Sequence, residues 1–174
     1  MNREAGNREA VRQPDLRGEL TTLLPDLRGF ARFLVRDRAE ADDLVQEAVV
    51  RALGALAQFQ AGSSMRAWTF TILRNTYYEQ ARRRRTETRA LQAQAPAEGG
   101  LAPAQDSQAA LTELRGFLWA LPPLLREALV LVGAQGLAYE EAAAICNVPI
   151  GTMKARVSRA RTQLARVMDA RGTE

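Results

Sequence analysis

Residues Ala138–Leu164, AYEEAAAICNVPIGTMKARVSRARTQL, decide how this chain folds and what it touches. The stretch reads as a short helix, a break at Asn147–Val148–Pro149, and a longer helix. On the second helix Met153, Val157, Ala160, Leu164 and Val167 recur at helical spacing and form one apolar stripe. Cations fill the rest of its surface. Thr152, Arg156 and Arg159 fall on adjoining turns of one polar face, with Lys154, Ser158 and Arg161 beside them. Arginine presents a planar fork that fits guanine or phosphate, which suits a DNA groove. Gly151 permits a close backbone approach. The layout is that of a helix-turn-helix, whose second helix enters the major groove. A solvated cationic face on an ordinary bundle is the plainer alternative.

Working outward, charge supports a nucleic-acid partner. The chain carries 24 Lys plus Arg against 20 acids, a net charge of +4. Because the excess is modest, its distribution is more telling. Arg82–Arg85 form one basic cluster and Lys154–Arg171 another, whereas Glu40, Asp42, Asp43 and Glu47 crowd one acidic helix. Two separated basic patches and an acidic surface suggest two DNA contacts and a different third partner.

Absences limit the chemistry. With no His and a single Cys, Cys146, the chain has no multi-ligand Cys/His zinc site, no histidine-based triad and no internal disulfide. No metal or cofactor is expected. Cys146 reads as a small buried thiol within an apolar helix face. No apolar run is long enough to span a bilayer, and MNREAGNREAVRQ lacks a signal-peptide core. The expected location is the cytoplasm.

The composition divides the chain. Residues 90–108, ALQAQAPAEGGLAPAQDSQ, hold almost no large apolar side chains and read as a flexible linker. The expected organisation is an N-terminal module at 15–88, a linker at 89–108 and a C-terminal module at 109–170. Strand signals are nearly missing. Pro25 opens a helix with Leu27, Phe30, Ala31 and Leu34 on one face, a second helix spans about 39–57, and Ser63 or Ser64 caps a long helix over 65–85. Leu114, Phe117, Leu118 and Leu121 mark another; Pro122 and Pro123 start the next, which Gly133 and Gly136 end. The fold class is all-α: two small helical domains on a tether.

The long helix, MRAWTFTILRNTYYEQARRRR, carries Trp68, Phe70, Tyr77 and Tyr78 around Asn75 and ends in the Arg cluster. Aromatic rings stack on unpaired bases, Asn reads base edges and Arg holds phosphate, a combination suited to single-stranded DNA. Trp68 and Ile72 also fit an inward stripe, and the arginines also fit a solvated helix end favoured by the helix dipole.

In order, DDLVQEA (Asp42–Ala48), FQAGSSMRAW (Phe59–Trp68), ILRN (Ile72–Asn75), LPPLLREALVLV (Leu121–Val132), GLAYEEAA (Gly136–Ala143) and IGTMKARVSRAR (Ile150–Arg161) resemble the extracytoplasmic-function (ECF) sigma factors of bacterial RNA polymerase. The pattern is most similar to their alphaproteobacterial general-stress-response, or EcfG-type, branch. The resemblance implies a factor, not an enzyme, that directs core polymerase to promoters. It implies that Asp43, Leu44, Gln46 and Glu47 dock on the β′ clamp helices and that the C-terminal module meets the β flap. It places Phe59, Gln60, Ser63, Ser64, Arg74, Asn75, Arg82 and Arg83 at the minus-ten element. There, capture of a flipped base offsets unstacking that costs a few kcal/mol. Thr152, Lys154, Arg156, Ser158, Arg159 and Arg161 would read the minus-thirty-five duplex. An anti-sigma factor of the NepR type is implied as a further partner. Ala138 stands where a Ser or Thr cap is usual and Ala155 replaces a common Ser; Asn147 replaces a frequent Gly but tolerates a left-handed turn.

Two other readings differ in class. A free-standing regulator would bind a duplex operator unaided. A nuclease would gather Asp42, Asp43 and Glu47 around magnesium, although Leu44 and Val45 interleave them as in an ordinary amphipathic helix.

Overall fold

The computed structural model of the protein describes residues 15–92 and 109–171. The N-terminal module is built from α1 (Leu16–Thr22), α2 (Leu24–Leu34), α3 (Arg38–Gly54) and α4 (Met65–Gln92); a single 3-10 turn, Leu56–Gln58, follows α3. The C-terminal module comprises α5 (Ala109–Ala120), α6 (Pro123–Leu129), a π turn (Val130–Ala134), α7 (Tyr139–Cys146) and α8 (Ile150–Arg171). No strand occurs among the described residues, as expected of an all-α chain. Most of the expected linker, residues 93–108, lies outside the described residues; α4 itself runs on to Gln92. Among the described residues no helix is long and apolar enough to cross a membrane.

Local chemistry sets the helix starts. Asp15 and Asp37 accept from the backbone N–H of Gly18 (3.0 Å) and Glu40 (2.9 Å), capping α1 and α3. Ser64 Oγ accepts from Ala67 N–H at 3.1 Å, which identifies it as the cap of α4. Proline sits in the first turn of α2 and of α6, where its missing N–H costs nothing. Helix α1 was not expected from sequence: seven residues with a central glycine give too little periodicity, and only Leu20 is buried.

The core differs from two modest, separate cores. Leu27, Phe30, Ala41, Leu44, Phe70 and Leu73 of the N-terminal module join Ala128, Leu131, Ile145, Cys146, Met153 and Val157 of the C-terminal module in one cluster of buried residues. The main joint is α4 against α7, with α2 packed on α6 and on the π turn. Each module is too small to bury both faces of its helices alone, so α4 offers a second face to its neighbour. A smaller cluster, Leu118, Leu121 and Ala160, holds α5 to α8.

Helix α4 corrects one assignment of its aromatics. Phe70 is fully buried and stacks on Phe30 at 5.3 Å. Trp68, which also fits an inward stripe, is half-buried and outside the core, whereas Ile72, half-buried too, packs against the core as expected. The inward stripe is Met65, Thr69, Leu73 and Thr76, one turn-phase away from Trp68. Thr69 and Thr76 satisfy their hydroxyls on the carbonyls of Met65 (2.7 Å) and Ile72 (2.9 Å).

Removing the stacked ring gives a direct check of this core. Phe70→Ala is expected to lose about 3–5 kcal/mol of stability, measured by equilibrium urea unfolding.

Candidate nucleic-acid and polymerase interface

Helix α4 is the centre of the site because three of its faces have different tasks. Trp68, Asn75 and Arg82 are seven residues apart and so lie along one line of the helix. Asn75, Arg82 and Arg83 are exposed on this side. Phe59 packs edge-to-face on Trp68 at 5.3 Å, which anchors the Phe59–Ser64 loop against the start of that line. Gly62 at φ +87° lets the loop turn, and Ser63 Oγ donates to the Gln60 carbonyl at 2.7 Å. Gln60 stays exposed.

A second face of α4 is tied to α3 by a ladder of polar contacts. Arg84 pairs with Glu40 at 3.0 Å; Gln80 and Arg51 each donate to Glu47 at 2.6 Å; Arg51 also reaches Glu79 at 2.6 Å. The Gln80 amide, and then Arg51 against the opposing effect of burial, holds the Glu47 carboxyl below its usual range. Hydrogen bonding from Glu79 likewise raises Arg51. The outer face of α3 is open. Asp43, Gln46, Val50 and Leu53 line it at i, i+3, i+7 and i+10, and Val50 is 69% exposed. Leu44 is not on that face. It is 1% exposed and part of the core, so it can only position the helix that carries the others. Asp42 turns towards Arg28 (3.9 Å), Asp43 outward and Glu47 towards α4, so these three carboxylates do not converge as a magnesium site requires.

The third face of α4 meets the C-terminal module. Arg74 Nε donates to Glu127 Oε1 at 2.6 Å and its Nη2 to Oε2 at 3.3 Å; Tyr78 Oη donates to the same Oε2 at 3.3 Å. The Arg74 and Glu127 side chains are only 13% and 1% exposed. Sequence neighbours on a helix are about 100° apart, so Arg74 points away from the Asn75 line and into this joint. Burial opposes its charge, but the bonds and attraction of Glu127 prevail and hold the guanidinium above its usual value. Burial pushes Tyr78 up to about 12, and the Glu127 charge adds to the effect. Beside them, burial first and Glu127 second push the Cys146 thiol up to about 12, which leaves it protonated and inert.

Two further cations brace the joint. Arg126, 5% exposed, donates to the Phe33 carbonyl at 2.9 Å in the last turn of α2 and lies 3.7 Å from the Trp119 ring centroid. Burial lowers its pKa. Arg66 donates to the Gln135 carbonyl at 2.6 Å and pairs with Asp26 at 3.1 Å. The expected sites include neither Arg126 nor Glu127. The signal was present as a charged pair inside the apolar run LLREALVLV, where short-helix charges have little room to reach water.

The helix-turn-helix holds despite its alanine cap. Glu141 accepts from the Ala138 N–H at 3.2 Å, which supplies half of a capping box. Asn147 adopts φ 51°, ψ 52°, the left-handed turn expected of it. On α8, Lys154, Ser158, Arg159 and Arg161 are exposed; Lys154 lies 5.9 Å from the Tyr139 ring. Thr152 and Arg156 are half-buried, and Arg156 Nη1 is buried with no hydrogen-bond partner.

An α3–α4 unit with an open α3 face carrying Asp43 and an exposed Asn/Arg line on α4, joined to a helix-turn-helix, is the architecture of a sigma factor. Residues 20–87 match sigma-70 region 2 and residues 111–164 match sigma-70 region 4. The chain is 43% identical over 165 residues to the ECF RNA polymerase sigma factor EcfG of Rhodopseudomonas palustris (strain TIE-1), covering 91% of this chain and 88% of that one. It is 38% identical over 130 residues to the ECF sigma factor SigC of Mycobacterium tuberculosis (strain CDC 1551 / Oshkosh), covering 74% and 70%. Its fold is similar to that of the sigma factor RpoE in its co-crystal structure with the anti-sigma factor NepR from Bartonella quintana. That match has a TM-score of 0.77 and 41% identity, covering 89% of this chain and 97% of that one. The chain belongs to the ECF RNA polymerase sigma factors. It is a transcription initiation factor rather than an enzyme, and its partners are core polymerase and promoter DNA.

Titration tests the α4 joint. Spectrophotometric titration near 295 nm is expected to show one phenol ionising at about 12. Because an unfolded tyrosine ionises near 10, the stabilisation from Tyr78 is complete below pH 10 and lost as pH rises to 12. Glu127→Gln is expected to return that phenol towards 10.

Proposed function

We propose that this sigma factor reads its promoters in two halves and works in the cytoplasm in a stress response under anti-sigma control. The observation that carries this is the separation of surfaces: an open face on α3 carrying Asp43, Gln46 and Val50, an Asn75–Arg82 line on α4, and an exposed cationic face on α8. Within region 2, taken as 15–88, Asp43, Gln46 and Glu47 dock on the β′ clamp helices, with Leu44 shaping their helix from the core. The exposed Val50 extends this face and gives it an apolar centre.

The Phe59–Ser64 loop and Asn75 receive a minus-ten base flipped from the duplex, while Arg82 and Arg83 hold the adjoining phosphates. Arg74 reaches the same strand once it leaves Glu127. In region 4, taken as 109–170, Lys154, Ser158, Arg159 and Arg161 read the minus-thirty-five element, with Thr152 and Arg156 at the edge of that surface. The β flap takes the remaining face of this region, and residues 89–108 join the two. A NepR-type anti-sigma factor is the regulatory partner, on the support of the 41% identity to the NepR-bound RpoE.

Run-off transcription with core polymerase tests the assignment residue by residue. Arg159→Ala is expected to cost about 1–3 kcal/mol and to relax selectivity at one upstream base pair. Arg83→Ala is expected to weaken all promoters alike and to reduce the salt slope by about one charge. Equal effects of both variants on every promoter would reject the division into base readers and phosphate clamps. Addition of NepR is expected to give a stoichiometric complex in gel filtration and to abolish the run-off product; transcription unchanged at excess NepR would remove it as the partner.

A further inference from the structure

Helices α2 and α3 enclose a cleft of about 660 Å³, to which no other element contributes a lining residue. Leu24, Arg28 and Arg32 follow at four-residue steps on α2, as Arg38, Asp42 and Gln46 do on α3, so each helix turns one line of side chains towards the cleft. The helices are joined by only Val35–Asp37 and run as a hairpin. Arg32 therefore stands opposite Arg38 beside the turn, Arg28 opposite Asp42 (3.9 Å), and Leu24 opposite Gln46 at the far end. Val45 and Val49 add an apolar strip at that end. The charge is unbalanced. Three guanidinium groups share one carboxylate, and the Arg28–Asp42 contact is too long and too exposed, at 53% and 43%, to neutralise much. Arg32 and Arg38 have no ion-pair partner among the described residues, and Arg32 Nε is buried without a hydrogen bond. A buried donor of this kind is satisfied when its fork turns onto the oxygens of an anion.

We propose that this cleft is a binding site for a nucleoside polyphosphate. Arg32 and Arg38 hold its outer phosphates, Arg28 holds an inner one, and Leu24, Val45 and Val49 cover a face of the base, whose polar edge meets the Gln46 amide. The dimensions agree. The run from Arg32 to Leu24 covers about 12 Å of helix, the length of a nucleotide with its phosphates, and the volume falls within the range of small-molecule sites. Inorganic polyphosphate would leave the apolar end uncovered, so the site favours a nucleoside. Gln46 also stands on the open face of α3 beside Asp43 and Val50. An occupied cleft thus covers part of the surface assigned to the polymerase clamp and withdraws the sigma factor from core polymerase. That consequence rests on the clamp assignment; the binding itself does not.

Isothermal titration calorimetry of the full-length chain tests the site with GTP, ATP and sodium tripolyphosphate, without magnesium and at about 0.15 M salt. One nucleoside triphosphate per chain is expected, with GTP or ATP bound about tenfold more tightly than tripolyphosphate. Arg32→Gln and Arg38→Ala are each expected to weaken the nucleotide about tenfold. Arg38 is exposed, so its variant decides the matter if the Arg32 variant folds poorly. Val49→Asn is expected to weaken the nucleotide several-fold and to leave tripolyphosphate unchanged. Arg85→Ala and Arg166→Ala, in the two other basic clusters, are expected to change neither. Several equivalents per chain, equal losses in the Arg85 or Arg166 variants, or tripolyphosphate as tight as either nucleotide mean a general attraction of polyanions and overturn the site. Fluorescence anisotropy of labelled sigma factor with core polymerase reads the consequence. Saturating nucleotide is expected to weaken this association about tenfold for the wild type and not for Arg38→Ala. If the nucleotide binds as expected and the association is unchanged, the site stands and the placing of Gln46 on the clamp fails.

Discussion

The ion pair of Arg74 with Glu127 is the interaction on which the arrangement of the two regions depends. It crosses from α4 to α6 with both side chains removed from water. Such a pair recovers little net stability, because desolvation of two charges offsets their attraction. Leaving one partner buried alone, however, costs about 3–5 kcal/mol. The pair therefore acts chiefly as a register device. It favours the one docking in which each charge finds the other and disfavours sliding of α7 along α4. Around it, Tyr78 adds a third hydrogen bond to Glu127, and Arg126 closes the end of α2 with Trp119 as its lid.

A consequence is that α4 couples surfaces that look independent in sequence. Its polar ladder to α3 runs through Glu40, Arg84, Gln80, Glu47, Arg51 and Glu79, so α3 and α4 are held at a fixed spacing. These contacts are half-exposed and individually weak. Their value is geometric, since α3 and α4 already share Leu44, Val45, Phe70 and Leu73 in one core. By contrast, the joint to region 4 is an apolar contact around two buried charged groupings, Arg74 with Glu127 and Arg126 on the Phe33 carbonyl.

The sequence was most legible where a rule is local. Helical periodicity, proline at α2 and α6, the Ser64 cap and the left-handed Asn147 follow from a few residues each, and the helix-turn-helix follows from their combination. It was least legible where the answer depends on what lies across the chain. Trp68 and Phe70 lie on opposite sides of α4, and only the position of Phe30 decides that Phe70 goes inside. Leu44 and its acidic neighbours share one motif, yet one residue lies in the core and the others outside. Arg74 and Glu127 are 53 positions apart, and no spacing rule joins them. The identity of the family was carried by motif order, which survives all of these local ambiguities.

The closed arrangement is also asymmetric in what it hides. The exposed cations of α8, Lys154, Arg159 and Arg161, face solvent while the regions are in contact. Arg156 is different: its Nη1 is buried without a hydrogen-bond partner, and its charge acts on Cys146, the residue of α7 beside Arg74. An orphaned guanidinium nitrogen gains from any contact that lets it reach water or an anion, so the α8 side of the joint carries an unmet donor where Arg74, on the α4 side, is paired with Glu127.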